Sequence, residues 1–282
     1  MLKSPGLYVV ATPIGNLGDI SARAIETLRN VDCIAAEDTR HSRKLLEHFA
    51  IHTPIVSLHD HNEPKCSELL LRQLQQNKTI ALICDAGTPL ISDPGYKFIR
   101  KARQHKIFVT PIPGPCACIT ALSVSGMDCR RFVFEGFLPE KKIARQKKLK
   151  NLLHEVRTLV FYEAPHRILD FLEDLLQIFG PARKIVIARE LTKAFETILE
   201  GSVEQLRTWL DADKNQQRGE FVVLVKGSEQ VVSPAALETK RILELLLEEL
   251  PIKQAASLTA RITHEKKNKL YAQALALTGK TA

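Results

Sequence analysis

Short apolar runs alternate with amphipathic stretches of helical period along most of the chain. Residues 7–11 and 79–84 are rich in Val, Ile, Leu and Ala, which is typical of strands buried on both faces. A helical pattern follows each run after a loop rich in Gly, Pro and Asp. This order predicts a mostly parallel sheet with helices on both faces. The predicted strands are 7–11, 33–36, 55–58, 79–84 and 107–112, and the predicted helices are 21–30, 42–49, 64–76 and 94–105.

A second unit begins after residues 113–115, where two prolines flank a glycine. Ser202 and Gln205 in this unit have the spacing of a helix capping box. Its last strands are close together in sequence, so an antiparallel pairing and a mixed sheet are expected. The predicted strands are 131–136, 158–162, 184–189, 195–200 and 221–226, and the predicted helices are 116–125, 141–155, 167–179 and 202–210.

Only helical patterns remain beyond a linker-like stretch at 227–233. The last two, at 251–262 and 265–277, are separated by a short turn and resemble a helix-turn-helix module. An all-helical dimerisation or capping tail is the alternative. The expected domains are an N-terminal α/β domain at 1–115, a second α/β domain at 116–227 and a helical RNA-binding module at 234–282.

The 282 residues carry a net charge of +8, and the excess is concentrated in two segments. Residues 139–157 contain seven Lys or Arg against two Glu, and residues 251–282 contain six against one. Localised positive charge is typical of nucleic-acid contact, and a solvated helix face is the alternative. Aromatic residues make up only 6% of the chain, so no base-stacking platform is evident, and Trp209 is expected in the core.

The six cysteines form no Cys-x-x-Cys pair and no zinc-type spacing with histidine, so no metal site is expected. Free thiols in a reducing cytoplasm are the simplest interpretation. No apolar run is long enough for a membrane span, and the first residues show no signal-peptide pattern. We therefore expect a cytoplasmic protein without a membrane partner.

Residues 85–95, in the loop after the fourth predicted strand, contain two Gly, two Pro, two Asp and two hydroxyl side chains. Ligands of open α/β sheets bind at carboxyl ends of strands, and such a loop brings backbone close to a ligand. The alternative is a simple turn in which Asp93 caps the next helix and Pro94 occupies its first position. Neither a P-loop nor a Gly-x-Gly-x-x-Gly fingerprint occurs, which disfavours nucleotide hydrolases and nicotinamide dehydrogenases.

Seven motifs occur in one order along the chain, at 11–19 (ATPIGNLGD), 37–40 (EDTR), 85–95 (DAGTPLISDPG), 113–117 (PGPCA), 161–167 (FYEAPHR), 188–193 (ARELTK) and 218–222 (RGEFV). Together they resemble the 16S rRNA (cytidine 2′-O)-methyltransferases of the tetrapyrrole-methylase superfamily. The resemblance implies a fold with a parallel-sheet N-terminal domain, a mixed-sheet second domain and a C-terminal helix-turn-helix-like module.

The resemblance also implies S-adenosylmethionine as cofactor, bound in a cleft between the two α/β domains, and a homodimer. The family grips the cofactor with a Gly-Asp-Pro-type triplet, for which this chain has Gly87-Thr88-Pro89. The other cofactor contacts that the resemblance implies are Pro13, Ile91, Cys116, Ala117, Tyr162, Ala188 and Gly219.

Methyl transfer to a ribose hydroxyl needs a group that removes the hydroxyl proton. Candidates for this base, unranked, are Asp38, Glu163, Glu190 and Lys193, with Asp93 and His166 as further choices. Guanidinium groups match phosphate oxygens, which suggests RNA contacts by Arg40, Arg167 and Arg189. Structural roles as helix caps or ion pairs are the alternatives for Asp38, His166, Arg189 and Glu190. The lysines expected to hold RNA are Lys141, Lys142, Lys147, Lys148, Lys266, Lys267 and Lys269.

The function expected from these residues and the resemblance is 2′-O-methylation of a cytidine in 16S rRNA of the small ribosomal subunit. Two alternatives remain open at the level of sequence. One is methylation of a small molecule such as a tetrapyrrole, and the other is a non-catalytic RNA-binding assembly factor.

Overall fold

The computed structural model describes residues 4–59, 61–229 and 234–278. The chain forms two compact units, which divide between Gly227 and Ser228. In the described ranges, the first unit contains two five-stranded sheets, and the second contains three helices.

The first sheet is parallel throughout, with the strand order β3-β2-β4-β1-β5. Apolar side chains line both of its faces, because helices cover it on both sides. After β1 the chain continues to β2, toward one edge of the sheet, and after β4 it continues to β5, at the other edge. A topological switch point therefore lies between the neighbouring strands β1 and β4. The bounds are β1 (Gly6–Val10), α1 (Ala22–Asn30), β2 (Cys33–Ala36), α2 (Thr39–His48), β3 (Ile55–Ser57), α3 (Glu63–Gln75), β4 (Thr79–Ile83), α4 (Tyr96–Gln104) and β5 (Val109–Ile112).

The second sheet has the order β6-β7-β10-β8-β9 and is mixed, since only β6 and β7 run parallel. Helices α6, α7 and α8 cover one face, where Trp209 packs partly buried against the core as expected. Helix α5 packs on the other face. The bounds are α5 (Ala117–Val124), β6 (Phe132–Phe137), α6 (Lys142–Leu152), β7 (Thr158–Glu163), α7 (Ile168–Phe179), β8 (Lys184–Arg189), β9 (Thr197–Ser202), α8 (Val203–Ala212) and β10 (Phe221–Val225).

Two predicted helix starts are corrected by the structure. Helix α2 begins three residues early, at Thr39, because the Asp38 carboxylate accepts a hydrogen bond from the Arg40 N–H at 2.8 Å and caps the helix. Helix α4 begins late, at Tyr96, because Gly95 adopts a φ of 116° that no helix continues through. The expectation that Asp93 caps α4 is therefore wrong. The capping box of Ser202 and Gln205 at α8 is confirmed.

The C-terminal unit consists of α9 (Pro234–Glu249), α10 (Ile252–Thr263) and α11 (Lys267–Thr278). Leu243, Ala255 and Leu270, one from each helix, are fully buried in a common core. His264 ends α10 in the left-handed conformation, which produces the sharp turn into α11. The expected all-helical module is confirmed, although residues 279–282 of its predicted span, like residues 230–233 of the predicted linker, lie outside the described residues.

Candidate active site

The loops that follow β1 and β4 are joined at the switch point of the first sheet. Thr12 and Gly87 form a two-way backbone bridge, with N···O distances of 2.8 and 3.1 Å. The Thr12 hydroxyl donates to the Cys84 carbonyl at 3.1 Å and fixes the end of β4. Beyond the bridge, Leu90 and Ser92 have φ values of 77° and 74°, which side-chain-bearing residues rarely adopt. Backbone strain of this kind is concentrated at functional sites, which singles this loop out.

The same loop is tied to the start of helix α5. The Thr88 hydroxyl donates to the Pro115 carbonyl at 2.9 Å. The Cys118 N–H in turn donates to the Tyr162 hydroxyl oxygen at 3.1 Å, which links α5 to strand β7 of the second sheet. The Cys116 and Cys118 sulfurs lie 3.4 Å apart, and the hydrogen bond from Cys118 lowers the pKa of Cys116. Burial raises the pKa of Tyr162, so its hydroxyl stays protonated.

A cleft of about 380 Å³ lies between the carboxyl ends of the first sheet and the second sheet. Seven of the ten predicted cofactor contacts lie in its wall, and the remaining three, Pro13, Pro89 and Gly219, do not line it. The seven are Gly87, Thr88, Ile91, Cys116, Ala117, Tyr162 and Ala188.

Gly219 has a structural reason for being glycine. It has a φ of 94°, and a Cβ there would overlap the carboxylate of Glu190. Glu190 accepts a hydrogen bond from the Glu220 N–H at 2.9 Å through the space that Gly219 leaves. The structure therefore places Gly219 behind Glu190 and outside the cleft wall.

The cleft wall is acidic. Five acidic residues line it, and the described residues of the wall include no lysine or arginine. Burial raises the pKa of Asp93 to about 6, with further contributions from Asp85 and Cys116. The part of a charged ligand that contacts these acidic residues must therefore be positively charged. The five residues are Glu37, Asp85, Asp93, Glu163 and Glu220.

Of the four unranked base candidates, Glu163 is the one that belongs to the wall. It is 2% exposed, and burial raises the pKa of its carboxyl group. Its Oε1 accepts from the Ala164 N–H at 2.9 Å and pairs with the Arg167 Nε at 3.1 Å. In the described part of the chain, its Oε2 has one contact, a long one of 3.5 Å to Arg167 Nη2. Oε1 is thus fixed, whereas Oε2 has no short hydrogen bond but belongs to a side chain that is 0% exposed.

Apart from Asp93, the remaining base candidates lie outside the wall. Lys193 bridges Glu190 at 2.9 Å and Glu220 at 3.0 Å. Burial favours the neutral form of Lys193, but the two carboxylates outweigh it and raise its pKa. Asp38 caps α2 and pairs with the exposed Arg40 at 3.2 Å. His166 is exposed next to the wall residue Glu163.

Two of the three arginines are held by the protein itself. Besides Glu163, Arg167 donates to the Leu138 carbonyl at 2.7 Å. Arg189 is 7% exposed and donates to the carbonyls of Arg218 and Asn215 at 2.6 and 2.9 Å. Both guanidinium groups therefore fix loops around the cleft, whereas Arg40 remains on the surface with 89% of its side chain exposed.

All seven predicted RNA-binding lysines are exposed. Lys141 and Lys142 lie at the start of α6, with Lys147 and Lys148 in its middle. Lys148 pairs with Glu135 at 2.8 Å. Lys266, Lys267 and Lys269 lie around the start of α11, where Lys269 pairs with Glu265 at 2.7 Å.

Sequence reasoning assigned no role to ten residues of the wall. All of them except Phe137 stand in the seven motifs, and their place in a motif was the available signal. Phe137 required the pairing of β6 with β7, which no local pattern reveals. The ten residues are Ile14, Glu37, Asp85, Ala86, Ser92, Phe137, Leu191, Glu220, Phe221 and Val222.

The fold and the cleft define the class of the protein. Residues 6–207 match the family model described as Tetrapyrrole (Corrin/Porphyrin) Methylases. A diphthine synthase structure covers 78% of this chain and 89% of its own, with a TM-score of 0.59 and 15% identity. A Thermus thermophilus uroporphyrin-III C-methyltransferase complexed with S-adenosylhomocysteine covers 78% and 97%, with a TM-score of 0.55 and 16% identity. The class is that of the tetrapyrrole methylases, which use S-adenosylmethionine.

More similar relatives identify the branch of this class. The ribosomal RNA small subunit methyltransferase I of Pseudomonas aeruginosa is 52% identical over 98% of both chains. The protein of the same name from Escherichia coli O157:H7 is 51% identical over 97% of this chain and 96% of its own. Residues 233–278 match the model described as the RsmI C-terminal HTH domain. The chain therefore belongs to the ribosomal RNA small subunit methyltransferase I family of the tetrapyrrole methylases.

The described residues contain neither a metal-binding cluster nor a membrane-spanning helix. Within residues 4–59, 61–229 and 234–278, no group of three His, Cys, Asp or Glu is arranged to hold a metal ion. None of the helices in the described part of the chain is long and apolar enough to cross a membrane.

Proposed function

We propose that this protein transfers the methyl group of S-adenosylmethionine to the ribose 2′-hydroxyl of a cytidine in 16S rRNA of the small ribosomal subunit. The observation that carries the proposal is the acidic cleft at the switch point, in a chain 52% identical over 98% of its length to a ribosomal RNA small subunit methyltransferase. The cytidine and the 2′-oxygen come from the resemblance of the seven motifs.

The wall of the cleft fits the cofactor. Its volume of about 380 Å³ lies in the range of small-molecule sites. Ile14, Ala117 and Leu191 supply apolar surface, and the carboxylates of Asp85 and Asp93 supply negative potential for a cationic ligand. The bound cofactor supplies a methyl group already activated on a positively charged sulfur. The protein therefore has to orient the acceptor and to manage its proton.

We propose Glu163 as the group that accepts the hydroxyl proton. Its raised pKa brings the carboxylate closer to working pH, and Arg167 holds it in one orientation. With the cofactor bound to supply the methyl group and to leave as S-adenosylhomocysteine, the buried Glu163 side chain would turn toward the cleft, take the hydroxyl proton and end protonated. Glu163→Gln removes the basic oxygen and keeps the shape, so kcat should fall roughly 100-fold or more with an unchanged Kd for S-adenosylhomocysteine. Equal kcat in both proteins would assign the proton to another group, with Asp93→Asn as the next variant.

The exposed lysines of α6 and of the C-terminal unit are proposed to contact RNA phosphates. Lys142, Lys147 and Lys267 are long, exposed side chains on helices, which is how phosphate-positioning contacts are made. These contacts set affinity and orientation, and the chemistry remains in the cleft.

The proposed homodimer is supported by apolar side chains that the first unit leaves exposed. Ile119 and Val124 on α5 are 50% and 52% exposed, and Phe132 on β6 is 36% exposed. A second copy of the chain is the proposed cover for these side chains. Light scattering after size exclusion should give twice the chain mass, and a monomer at micromolar concentration would contradict the proposal.

The function is tested by nucleoside mass spectrometry. Small subunits from cells without this protein are incubated with the purified protein and S-adenosylmethionine, and their 16S rRNA is digested. One additional 2′-O-methylcytidine per rRNA is expected, and heat-inactivated protein is the control. A methyl group on a base, or on another nucleoside, would overturn the proposed specificity, and no methyl group at all would overturn RNA methylation.

A further inference from the structure

Phe137 is a large aromatic side chain in the wall of the cleft that the fold leaves exposed. It is 53% exposed, whereas the two other aromatic residues of the wall are better covered, with Phe221 at 2%. Its ring lies edge-on to the ring of Tyr162, with centroids 5.6 Å apart. Exposure of this much apolar surface gives no stability to the fold, because burial is what makes a phenylalanine stabilising.

A β-bulge directs Phe137 toward the cleft. Phe134 pairs with Val160 and Phe137 with Tyr162, so three steps along β6 match two steps along β7. In a regular strand, the side chains of residues three apart point to opposite faces of the sheet. Because the bulge adds one residue between them, Phe134 and Phe137 instead lie on the same face as Tyr162. Phe134 accordingly lies 5.0 Å from the Tyr162 ring centroid.

The bulge depends on Gly136. This residue has a φ of 60°, and a Cβ there would approach the Ser92 hydroxyl to 2.7 Å. Ser92 is itself one of the residues with positive φ in the wall. Gly136 and Ser92 therefore both have unusual backbone conformations where the exposed ring of Phe137 enters the cleft.

Phe137 also lies just before the basic helix along the chain. Strand β6 ends at Phe137, and Lys141 and Lys142 follow within five residues at the start of α6. The neighbouring strand β7 ends at Glu163. An RNA strand whose phosphates lie along the lysines would bring one nucleotide past this ring.

We infer that Phe137 is the platform on which the base of the target nucleotide stacks after it leaves its RNA stack. The inference deepens the proposed function and rests on it. Proteins recognise single RNA nucleotides by stacking splayed bases on aromatic side chains. A ribose hydroxyl can reach the cleft in a fixed orientation only when its base is held, so the platform orients the acceptor.

The test uses the full chain and unmodified small subunits. Its variants distinguish the effect of an aromatic face at position 137 from the effect of side-chain volume. Phe137→Ala should lower kcat/KM for the subunit roughly 5- to 100-fold, the range for loss of one stacked base. Phe137→Trp should retain most of the activity, since it keeps an aromatic face. Phe137→Leu should behave like Phe137→Ala, although it keeps apolar volume. Phe108→Ala is the matched control, because Phe108 is 48% exposed and precedes β5 at the opposite end of the first sheet.

A second measurement tells whether Phe137 contacts the RNA base or the cofactor. The Kd of S-adenosylhomocysteine, measured by calorimetry, should be unchanged within about twofold in Phe137→Ala. A loss of cofactor affinity that accounts for the loss of activity would overturn the inference, as would wild-type kcat/KM in Phe137→Ala or full activity in Phe137→Leu. Wild-type protein that methylates no RNA would overturn the proposed function itself, together with the platform.

Discussion

The two basic segments look equivalent in sequence, since residues 139–157 and 251–282 each carry a net charge of +5. In the structure they differ. Arg145, Lys148 and Arg157 of the first segment form ion pairs with Asp174, Glu135 and Glu155. In the described part of the second segment, one ion pair appears, between Lys269 and Glu265 of the same helix region. Charge counted along a sequence therefore overstates the charge that α6 presents to a polyanion.

One of the positive charges of α6, that of Arg145, stabilises the fold through a buried ion pair with Asp174 of α7. The two side chains are 4% and 0% exposed, with an Nε···Oδ2 distance of 2.6 Å. Arg145 also donates to the Glu140 carbonyl at 3.1 Å, and Gln146 donates to the other Asp174 oxygen at 2.7 Å. These bonds fasten the basic helix to α7, so that its exposed lysines lie on a fixed surface.

The largest effect is expected from Asp174→Ala. It leaves the Arg145 guanidinium buried without its carboxylate, which costs about 3–5 kcal/mol of unfolding free energy. Urea denaturation followed by circular dichroism measures this loss. Asp170→Ala is the control on the same helix, where an exposed carboxylate contributes less than about 1 kcal/mol. Equal effects of the two changes would show that the buried pair does not anchor α6.

The next prediction compares how much the two basic segments, 139–157 and 251–282, contribute to RNA affinity. Lys142, Lys147 and Lys150 of α6 and Lys266, Lys267 and Lys269 of the tail are exposed sets of equal size. Each triple change to Ala should weaken binding to small subunits and lower the slope of log K against log salt by about two, if every lysine meets a phosphate. Filter binding between low and physiological salt gives both slopes. An unchanged slope for either set would remove that segment from the interface.

A smaller effect separates two neighbours on α6. Lys147 forms no ion pair among the described residues, whereas Lys148 is paired with Glu135 at 2.8 Å. Lys147→Ala should therefore weaken RNA binding several-fold, and Lys148→Ala by less, because part of the Lys148 charge is already neutralised. The same binding assay at one low salt concentration compares them. A larger loss for Lys148 would mean that RNA displaces Glu135.

The architecture was accessible from sequence because its signals are local. Alternating apolar runs and helical periods predicted the parallel sheet, and the spacing of Ser202 and Gln205 predicted a cap that the structure contains. Seven of the ten predicted cofactor contacts lie in one wall. Five of them follow β4 or β5, because strand ends of a parallel sheet meet at one edge, and the other two lie on β7 and β8 of the mixed sheet.

The rest could not be predicted because it depends on contacts between distant segments. Nothing near Phe137 in sequence reveals the extra residue of the bulge, which is defined only by its pairing with β7. The low aromatic content even argued against a stacking platform. Arg167 seemed suited to phosphate, yet the Leu138 carbonyl and Glu163 already use its donors. Asp93 seemed a helix cap, but the conformation of Gly95 delays the helix.

The smallest predicted effect tests whether a paired lysine can be made available to RNA. Glu265→Gln removes the partner of Lys269 in the tail, and Glu135→Gln removes the partner of Lys148 on α6. Each change leaves one more positive charge for the polyanion, so RNA affinity should rise about two- to fivefold at low salt and the rise should vanish at high salt. The gain should be larger for Glu265, because Lys269 is 59% exposed and Lys148 is 46% exposed. A gain at Glu135 alone would reverse the comparison and make α6 the principal RNA contact.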